Sequence, residues 1–495
     1  MLKWYKWSVA KSAEARDHSE VGVSGGLIRS DALASRQRIL AAASALVGDR
    51  RVSMTEVAAA ANVGRSTLYR HFPTRHALEE ALAELEHSEP RVGTSQAVSG
   101  RVTTMPFRAP GRLGREAPLP LDVTRILDEV PSHLVPDQLV AEARRAAGVA
   151  VALYVVDIDG SHLLRLSGTD EFPERLDAPP ALGPEIVPEG LPEFYDRMQR
   201  DLPGCVAEPL WLRGRVTALL VCVGTPLVDL FDIAKQGAAA LELAGDYTDY
   251  IEEAKRRKPT TPAAEIQQHL FPPRIARIAG AQLAGVLLPS YEVGGDWFDF
   301  VENRDGAWLA IADAAGTGPT AAGLGAAALG ALRAARRSGE DLNGALRQMD
   351  ETVRRLDNPD FFITALVARW RAATATLTWV NCGHPNAFLV DSDGALEELD
   401  APQHPPLGTR KERPRFRATS RRLAPGERLI LLTDGIISRR IEGGGTFGVD
   451  GIKQALERAE NPTAASTALA IQHAVTDCWR EPLEDDATAV VMAVQ

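Results

Sequence analysis

Four short acidic segments, in fixed order in the C-terminal half, constrain this chain more than any other feature. They are Gly294-Gly295-Asp296, Asp313-Ala314, Thr433-Asp434-Gly435 and Asp485-Asp486. Each adjoins an apolar run of strand length, so the carboxylates are expected at strand ends. A single Asp-Gly pair usually marks a turn. Four such segments indicate a site for a hard cation such as Mg²⁺ or Mn²⁺, which binds carboxylate and carbonyl oxygens.

The acidic segments and the motifs between them resemble the SpoIIE-like branch of the PPM, or protein phosphatase 2C, superfamily. The resemblance covers residues 263–495. The further motifs are the opening segment 264–273, Asp-x-x-Gly-x-Gly at 313–318, Asn-Cys-Gly-His-Pro at 381–385 and Pro-Leu-Gly at 406–408. The resemblance implies an α/β/β/α sandwich, that is, an antiparallel β-sandwich flanked by helices, with two metal ions at one end. It also implies hydrolysis of phosphoserine or phosphothreonine by a metal-bridged water.

The resemblance assigns roles to individual residues, with two Mn²⁺ or Mg²⁺ ions as cofactors. Asp296 would bridge both ions, while Asp313 and the carbonyl of Ala314 would bind one of them. Two divalent ions about 3.5–4 Å apart lower the pKa of a shared water and neutralise the phosphoryl oxygens. Such a site requires no nucleophilic serine or cysteine.

The remaining acidic residues complete this expected site. Asp434 and Asp485 would bind the second ion, with Asp486 as the alternative to its neighbour. Asp299 would support the ligands without binding metal. His384, in a Gly-His-Pro turn, has two interpretations: a general acid, or a residue that only stabilises the turn.

Composition limits the whole chain to a few classes. A length of 495 residues predicts about three domains. The net charge of −11 argues against nucleic-acid binding by the entire surface, but it permits one basic segment. Four cysteines without paired spacing predict neither a disulfide framework nor a zinc site. The apolar runs are too short for a membrane span, so we expect a cytoplasmic protein without a membrane partner.

The N-terminal region carries a second recognisable pattern. Residues 1–29 show no periodicity and are expected to form a disordered tail. Residues 30–87 show helical spacing, a capping box from Ser53 to Glu56 and a Gly-containing turn at Gly64, which together predict a helix-turn-helix. The segment from Thr55 to Arg75 closely resembles the signature of TetR-family repressors. Eight arginines and five acidic residues between 29 and 80 make the region basic.

The TetR resemblance implies a DNA operator as a partner. Side chains on both helices of the motif would contact bases or phosphates. They are Thr55, Arg65, Ser66, Thr67, Tyr69, Arg70 and His71. The alternative is a protein-interaction module that has kept the scaffold and lost DNA binding. Two-fold operators require a homodimer, and no TetR-type dimerisation domain follows, so later regions would have to supply the contact.

The central region predicts a linker, a mixed α+β domain and a helix. Residues 88–120 are rich in Pro, Gly, Ser and Arg, as linkers are. Residues 121–228 contain two β-hairpin patterns and resemble a GAF domain, which implies an unknown small ligand; a non-binding dimerisation module is the alternative. Residues 229–262 carry an apolar stripe of helical spacing. The stripe predicts a signalling helix that either pairs in a dimer coiled coil or packs on the domain's own sheet.

The sequence therefore predicts a multidomain protein with an all-α head, an α+β middle domain and an α/β/β/α phosphatase domain over 263–495. Its expected activity is that of a metal-dependent protein phosphatase in bacterial signalling, with a phosphorylated protein of the anti-anti-sigma type as substrate. The alternative is a TetR-like transcription regulator in which the phosphatase fold serves only as a regulatory or dimerising body. Intact Asp296, Asp313, Asp434 and Asp485 argue against that alternative.

Overall fold

The computed structural model describes residues 39–40, 57, 60–61, 78, 128–290, 293–409 and 415–495. The chain divides into two compact units, Met1–Arg112 and Leu113–Gln495. In the first unit the described residues are mostly helical, and nearly all of them are buried apolar side chains. The predicted DNA contacts, the N-terminal tail and the linker lie outside the described residues. In the described ranges, no helix has both the length and the apolar character needed to cross a membrane.

The middle domain, which begins the described part of the second unit, is built on one antiparallel sheet. Its strands are β1 (Ala150–Val156), β2 (His162–Ser167), β3 (Arg175–Asp177), β4 (Ala181–Leu182), β5 (Glu185–Ile186), β6 (Cys205–Leu212) and β7 (Arg215–Val223). They follow the order β3-β2-β1-β7-β5-β4, and β6 also pairs with β7. The β1–β2 and β6–β7 pairs confirm the two hairpins predicted from turn residues.

Helices cover both faces of this sheet. They are α1 (Val135–Ala147), α2 (Leu191–Asp201), α3 (Phe231–Gly245) and α4 (Tyr250–Ala254). Apolar residues of α1, α3 and α4 pack against one face of β1 and β7, while α2 packs on the other face. Each face of the sheet is strongly apolar and would otherwise be exposed to water.

The structure corrects the predicted helix over 229–262. It is not one helix: α3 ends at Gly245, and α5 begins only at Pro262, with the short α4 between them. Leu241 and Ile251 of the apolar stripe are buried in the core of the middle domain. Of the two alternatives for the stripe, packing on the domain's own sheet is the one observed. An apolar stripe with this spacing can pack equally well in a dimer coiled coil or on a sheet of its own domain. The periodicity alone therefore could not distinguish the two arrangements.

The C-terminal domain is a sandwich of two six-stranded sheets. One sheet has the order β10-β11-β12-β13-β16 with β17 beside β13, and the other has the order β15-β14-β18-β19-β9-β8. The strands are β8 (Ile275–Ile278), β9 (Ala281–Leu288), β10 (Asp296–Asn303), β11 (Gly306–Ala314), β12 (Ile363–Arg371), β13 (Thr376–Cys382), β14 (Phe388–Val390), β15 (Leu396–Glu398), β16 (Gln403–His404), β17 (Thr419–Arg422), β18 (Arg428–Leu432) and β19 (Ala487–Val494).

Three apolar layers hold this domain together. The inner faces of the two sheets meet in a core that includes Phe298, Trp370 and Met492. The outer face of the first sheet packs on α6 (Gly318–Arg337) and α7 (Leu342–Arg354). The outer face of the second packs on α8 (Asp434–Ile437), α9 (Gly448–Arg458) and α10 (Ala464–Asp477). With α5 (Pro262–Leu270) leading in, this is the α/β/β/α sandwich expected from the sequence.

A short hairpin of the middle domain is inserted into the C-terminal domain. Leu182 of β4 is fully buried, and with Val187 it joins the apolar cluster formed by the second sheet and α10. The carboxylate of Glu185 accepts hydrogen bonds from the backbone N–H groups of Arg274 (2.9 Å) and Ile275 (2.8 Å), where β8 begins. The β4–β5 hairpin thus makes both apolar and polar contacts across the domain boundary.

Candidate metal centre

Strand pairing brings the first two predicted carboxylates together. Strands β10 and β11 run antiparallel, with Asp296 opposite Asp313. Asp296 is the first residue of β10 and is buried, whereas Asp313 lies one residue before the end of β11 and is half-buried. In an antiparallel pair, directly opposed residues share one face and lie close together. The first sheet therefore presents both carboxylates at one edge.

The second pair comes from the other sheet by the same geometry. Strand β18 ends one residue before Thr433, and β19 begins immediately after Asp486. These strands also pair antiparallel, with Leu432 opposite Ala489, so Asp434 and Asp485 emerge at the same edge. Both side chains are exposed.

Two threonine hydroxyls connect the sheets at this edge. The Oγ1 atoms of Thr433 and Thr488 donate to Oδ2 of Asp296 at 2.8 and 2.6 Å. Thr433 Oγ1 also accepts from the backbone N–H of Thr488 at 2.9 Å. All three side chains are buried. The carboxylate of Asp296 is consequently held in one orientation by donors that belong to the opposite sheet.

Burial and electrostatic repulsion both disfavour the charged forms of the carboxylates in this cluster. Burial, then the charges of Asp313 and Asp486, raise the pKa of Asp296 well above its usual range. Burial, followed by the charges of Asp434, Asp485 and Asp486, raises the pKa of Asp313 to about 7. Among the described residues, no arginine or lysine forms an ion pair with any of these carboxylates, and a bound cation would remove the repulsion.

The residues fit a metal site in type and position, although their side chains are not gathered around one point. In the described part of the chain, no three His, Cys, Asp or Glu side chains form a group arranged to hold an ion. Repelling carboxylates without a cation between them would be expected to point apart. The strand ends bring the ligand candidates to one edge, and rotation of the side chains would have to complete the coordination.

Glycines allow the strand ends to approach this closely. A Cβ on Gly295 would lie 1.9 Å from the carbonyl oxygen of Ala314, the predicted backbone ligand. A Cβ on Gly435 would lie 2.0 Å from the carbonyl oxygen of Asp486. Both distances are far inside van der Waals contact with backbone atoms that cannot move aside. The close approach of backbone atoms therefore requires glycine in the Gly-Gly-Asp and Asp-Gly motifs, independently of turn formation.

Asp486, the alternative ligand, is saturated by hydrogen bonds from the protein. Its oxygens accept from Gln267 Nε2 at 2.7 Å, from the N–H of Gly294 at 3.0 Å, and from the N–H and hydroxyl of Ser290 at 2.9 and 3.1 Å. These contacts favour a role in anchoring the segment that leads into Asp296. Asp485, in contrast, is exposed, and its Oδ1 accepts a hydrogen bond from the N–H of Asp486 at 2.8 Å.

Gln267 is a site residue that the sequence interpretation did not single out. It is buried on α5 and donates both to Asp486 and to the backbone carbonyl of Asp296, the latter at 3.2 Å. Helix α5 is thereby connected to the carboxylate cluster through one amide. The sequence signal that could have identified Gln267 is its position inside the opening segment 264–273. A polar residue on the buried face of a helix there needs a hydrogen-bond partner.

Two further predicted residues have structural roles. Asp299 forms ion pairs with Arg333 at 2.9 Å and Arg336 at 2.8 Å on α6, so it fixes that helix to the sheet. His384 is buried, and burial lowers its pKa to about 3. Its Nδ1 lies 3.0 Å from Thr364 Oγ1, and its backbone N–H donates to Asn381. A histidine that stays neutral in this way serves the turn and is a poor general acid.

Both ends of the chain match known families. Residues 303–495 match the stage II sporulation protein E (SpoIIE) family, and residues 39–82 match the bacterial regulatory proteins of the tetR family. Over 231 residues the chain is 22% identical to the phosphoserine phosphatase RsbU of Bacillus subtilis (strain 168). The aligned region covers 46% of this chain and 68% of the relative.

Solved structures of similar domains exist. The SiaA-PP2C domain of Pseudomonas aeruginosa is 22% identical with a TM-score of 0.41, covering 52% of this chain and all of that one. The PP2C phosphatase domain of SpoIIE from Bacillus subtilis, with a fragment of its regulatory domain, is 13% identical with a TM-score of 0.38. It covers 63% of this chain and 77% of that one.

The family match and the homology to RsbU define the C-terminal domain as a serine/threonine phosphatase domain of the PPM class. Within that class, residues 303–495 match the SpoIIE family, and residues 39–82 match the tetR family. The SpoIIE-like and TetR resemblances stated from the sequence motifs are confirmed, whereas the GAF resemblance of residues 121–228 stays a prediction.

Proposed function

We propose that the chain is a metal-dependent phosphatase of phosphoserine or phosphothreonine in proteins. The observation that carries the proposal is the convergence of Asp296, Asp313, Asp434 and Asp485 at one edge of the sandwich, without a described ion pair to balance them. In this proposal they hold two Mn²⁺ or Mg²⁺ ions, with the carbonyl of Ala314 as a further ligand. The homology to the phosphoserine phosphatase RsbU supports the reaction class.

The two ions, when bound, would supply a water of lowered pKa and positive charge for the phosphoryl oxygens. The protein's own contribution is to fix the ligands. The hydroxyls of Thr433 and Thr488 orient Asp296, which would hold the ions together with the other carboxylates. Gly295 permits the backbone of β11 to lie against the start of β10. Preorganised ligands lower the cost of assembling a charged site.

The proposed substrate is a phosphorylated protein of the anti-anti-sigma type. The proposal follows the resemblance to SpoIIE-like phosphatases and the homology to RsbU. The carboxylate edge is exposed at Asp434 and Asp485, which suits a phosphoryl group on a protein surface better than a small enclosed substrate.

Metal-dependent hydrolysis is the experiment that tests the activity. Purified full-length protein, stripped with EDTA and dialysed, should release phosphate from a phosphoserine peptide and from p-nitrophenyl phosphate only after Mn²⁺ or Mg²⁺ is added. The physical reason is that the clustered carboxylates repel a phosphate dianion and, without a cation, cannot lower the pKa of the attacking water. Phosphate release would be measured colorimetrically across a metal titration. Full activity in excess EDTA would contradict a two-metal site.

The middle domain and the oligomeric state are part of the same proposal. We take residues 30–87 as a DNA-binding head, 88–120 as a linker, 121–228 as a GAF-like sensor and 263–495 as the phosphatase. An antiparallel sheet covered by helices on both faces is compatible with a sensor for an unknown small ligand. A homodimer is proposed because a two-fold operator would require one.

A second candidate function, operator binding, rests on the tetR-family match at 39–82. Arg65→Ala and Arg70→Ala should each weaken binding to genomic DNA fragments and reduce the slope of log affinity against log salt by about one, because each removes a phosphate or base contact. Fluorescence anisotropy at several salt concentrations measures both quantities. Arg304→Ala, in the turn between β10 and β11, is the control. Equal, salt-independent retention of all fragments would favour the protein-interaction alternative.

A further inference from the structure

Arg439 forms an unusual set of contacts beside the carboxylate edge. It follows α8, the short helix that begins at Asp434, and its side chain is buried. The guanidinium donates to three backbone carbonyls: Nη1 to Pro482 at 2.8 Å, and Nη2 to Trp479 at 3.0 Å and Glu481 at 2.5 Å. A planar guanidinium has enough donors in a fixed fork to hold several acceptors at once.

The three carbonyls belong to the segment that delivers Asp485. Residues 478–486 connect the end of α10 to the start of β19 and contain no helix or strand. The segment is also tied near its beginning by the N–H of Glu442, which donates to the Cys478 carbonyl at 3.0 Å, and at its end by the hydrogen bonds of Asp486. Between these two points, Arg439 makes three side-chain hydrogen bonds to backbone carbonyls.

Through these contacts Arg439 connects the segment that carries Asp434 to the segment that carries Asp485. It lies five residues after Asp434, and Pro482 lies three residues before Asp485. One rigid side chain therefore spans the two segments that carry the carboxylates assigned to the same ion. Without it, a nine-residue connection would have more conformations, and ordering that connection at the moment of metal binding would cost free energy.

We propose that Arg439 is a positioning residue that sets the separation of Asp434 and Asp485 and thereby the affinity for the ion they share. This inference rests on the proposed phosphatase function for its metal. Arg439 touches neither metal nor substrate; it acts through the backbone of 479–482. Residues that orient metal ligands in this way typically affect metal affinity by about 10–100-fold when replaced.

The test compares Arg439→Gln and Arg439→Lys with Arg440→Gln in the full-length protein. Arg440 is the matched control, because it is adjacent, exposed, and approaches only the exposed Glu484 at 3.5 Å. Arg439→Gln should raise the Mn²⁺ concentration for half-maximal activity by about 10–100-fold, with kcat largely restored at saturating Mn²⁺. Calorimetric Mn²⁺ titration should show the same weakening. Arg439→Lys, which keeps a donor, should have a Mn²⁺ affinity between those of the wild type and Arg439→Gln. Arg440→Gln should match the wild type.

Amide hydrogen exchange supplies a readout that needs no metal. Exchange across 478–486 should accelerate in Arg439→Gln and not in Arg440→Gln, with the melting temperature recorded for each variant. Unchanged exchange in that segment would overturn the inference, as would unchanged Mn²⁺ affinity or a loss of kcat that saturating Mn²⁺ does not restore. If the wild-type protein neither bound Mn²⁺ nor released phosphate, the proposed function would fail, whereas the exchange data would still decide whether Arg439 holds the segment.

Discussion

Asp296→Asn is expected to lower kcat/KM by about 10³-fold while leaving the metal-free protein folded. A metal ligand that bridges two ions contributes several kcal/mol of transition-state stabilisation, and each 1.36 kcal/mol corresponds to about tenfold in rate. The fold should tolerate the change because Asn is isosteric and its Oδ1 can still accept from Thr433 or Thr488. The substitution also removes a charge that burial and Asp313 already disfavour.

The measurement is steady-state phosphate release at saturating Mn²⁺, with melting temperatures determined in EDTA. Asp434→Asn should give a comparable loss. Asp305→Asn is the control, since this exposed aspartate lies in the turn at the opposite end of the same strand pair and should leave turnover unchanged. Wild-type turnover in Asp296→Asn would remove this residue from the proposed site, even if activity remained metal-dependent.

Leu182→Ala is expected to destabilise the phosphatase domain, although Leu182 belongs to the middle domain. Its side chain is fully buried among apolar residues of the second sheet and α10. Truncating a buried leucine costs about 2–5 kcal/mol through lost transfer free energy and the cavity left behind. Urea unfolding, followed by tryptophan fluorescence and by residual phosphatase activity, would measure the loss.

Leu227→Ala is the control for this prediction. Leu227 is a leucine of the same middle domain with 73% of its surface exposed, so its truncation should change stability by no more than about 0.5 kcal/mol. The contrary outcome is that Leu182→Ala lowers the urea midpoint of an early unfolding transition only, with the midpoint for loss of phosphatase activity equal to that of the wild type. In that case the hairpin would not be part of the catalytic domain's core.

The sequence was most informative where local chemistry and strand pairing coincide. The carboxylates of Asp296 and Asp313 could be assigned to strand ends from the flanking small residues and apolar runs, whereas their pairing across two strands is seen only in the structure. The family resemblance favoured Asp485 over Asp486, but the sequence offered no physical reason for that choice. Adjacent residues in a non-repetitive segment point in different directions, and only the contacts with Gln267 and Ser290 reveal which carboxylate is already occupied by hydrogen bonds.

Other features were inaccessible to sequence reasoning for distinct physical reasons. Strands β4 and β5 have two residues each, too few to show a period of two, so their insertion left no pattern. The carbonyl contacts of Arg439 involve backbone atoms of residues 40 or more positions away, and backbone acceptors carry no residue identity. The apolar stripe that includes Leu241 was correctly identified, but its partner depends on tertiary structure.

The inserted β4–β5 hairpin bears on how such proteins can be recombined. A gene fusion that joined a new sensor to residues 263–495 would remove Leu182 and Val187 from the catalytic domain and leave an unfilled hole beside α10. It would also strip the N–H groups of Arg274 and Ile275 of their acceptor on Glu185. The unit that can be transferred intact is therefore the middle domain together with the C-terminal domain. A protein that exchanged its middle domain for another would have to keep residues 181–187, or acquire other residues that make the same contacts.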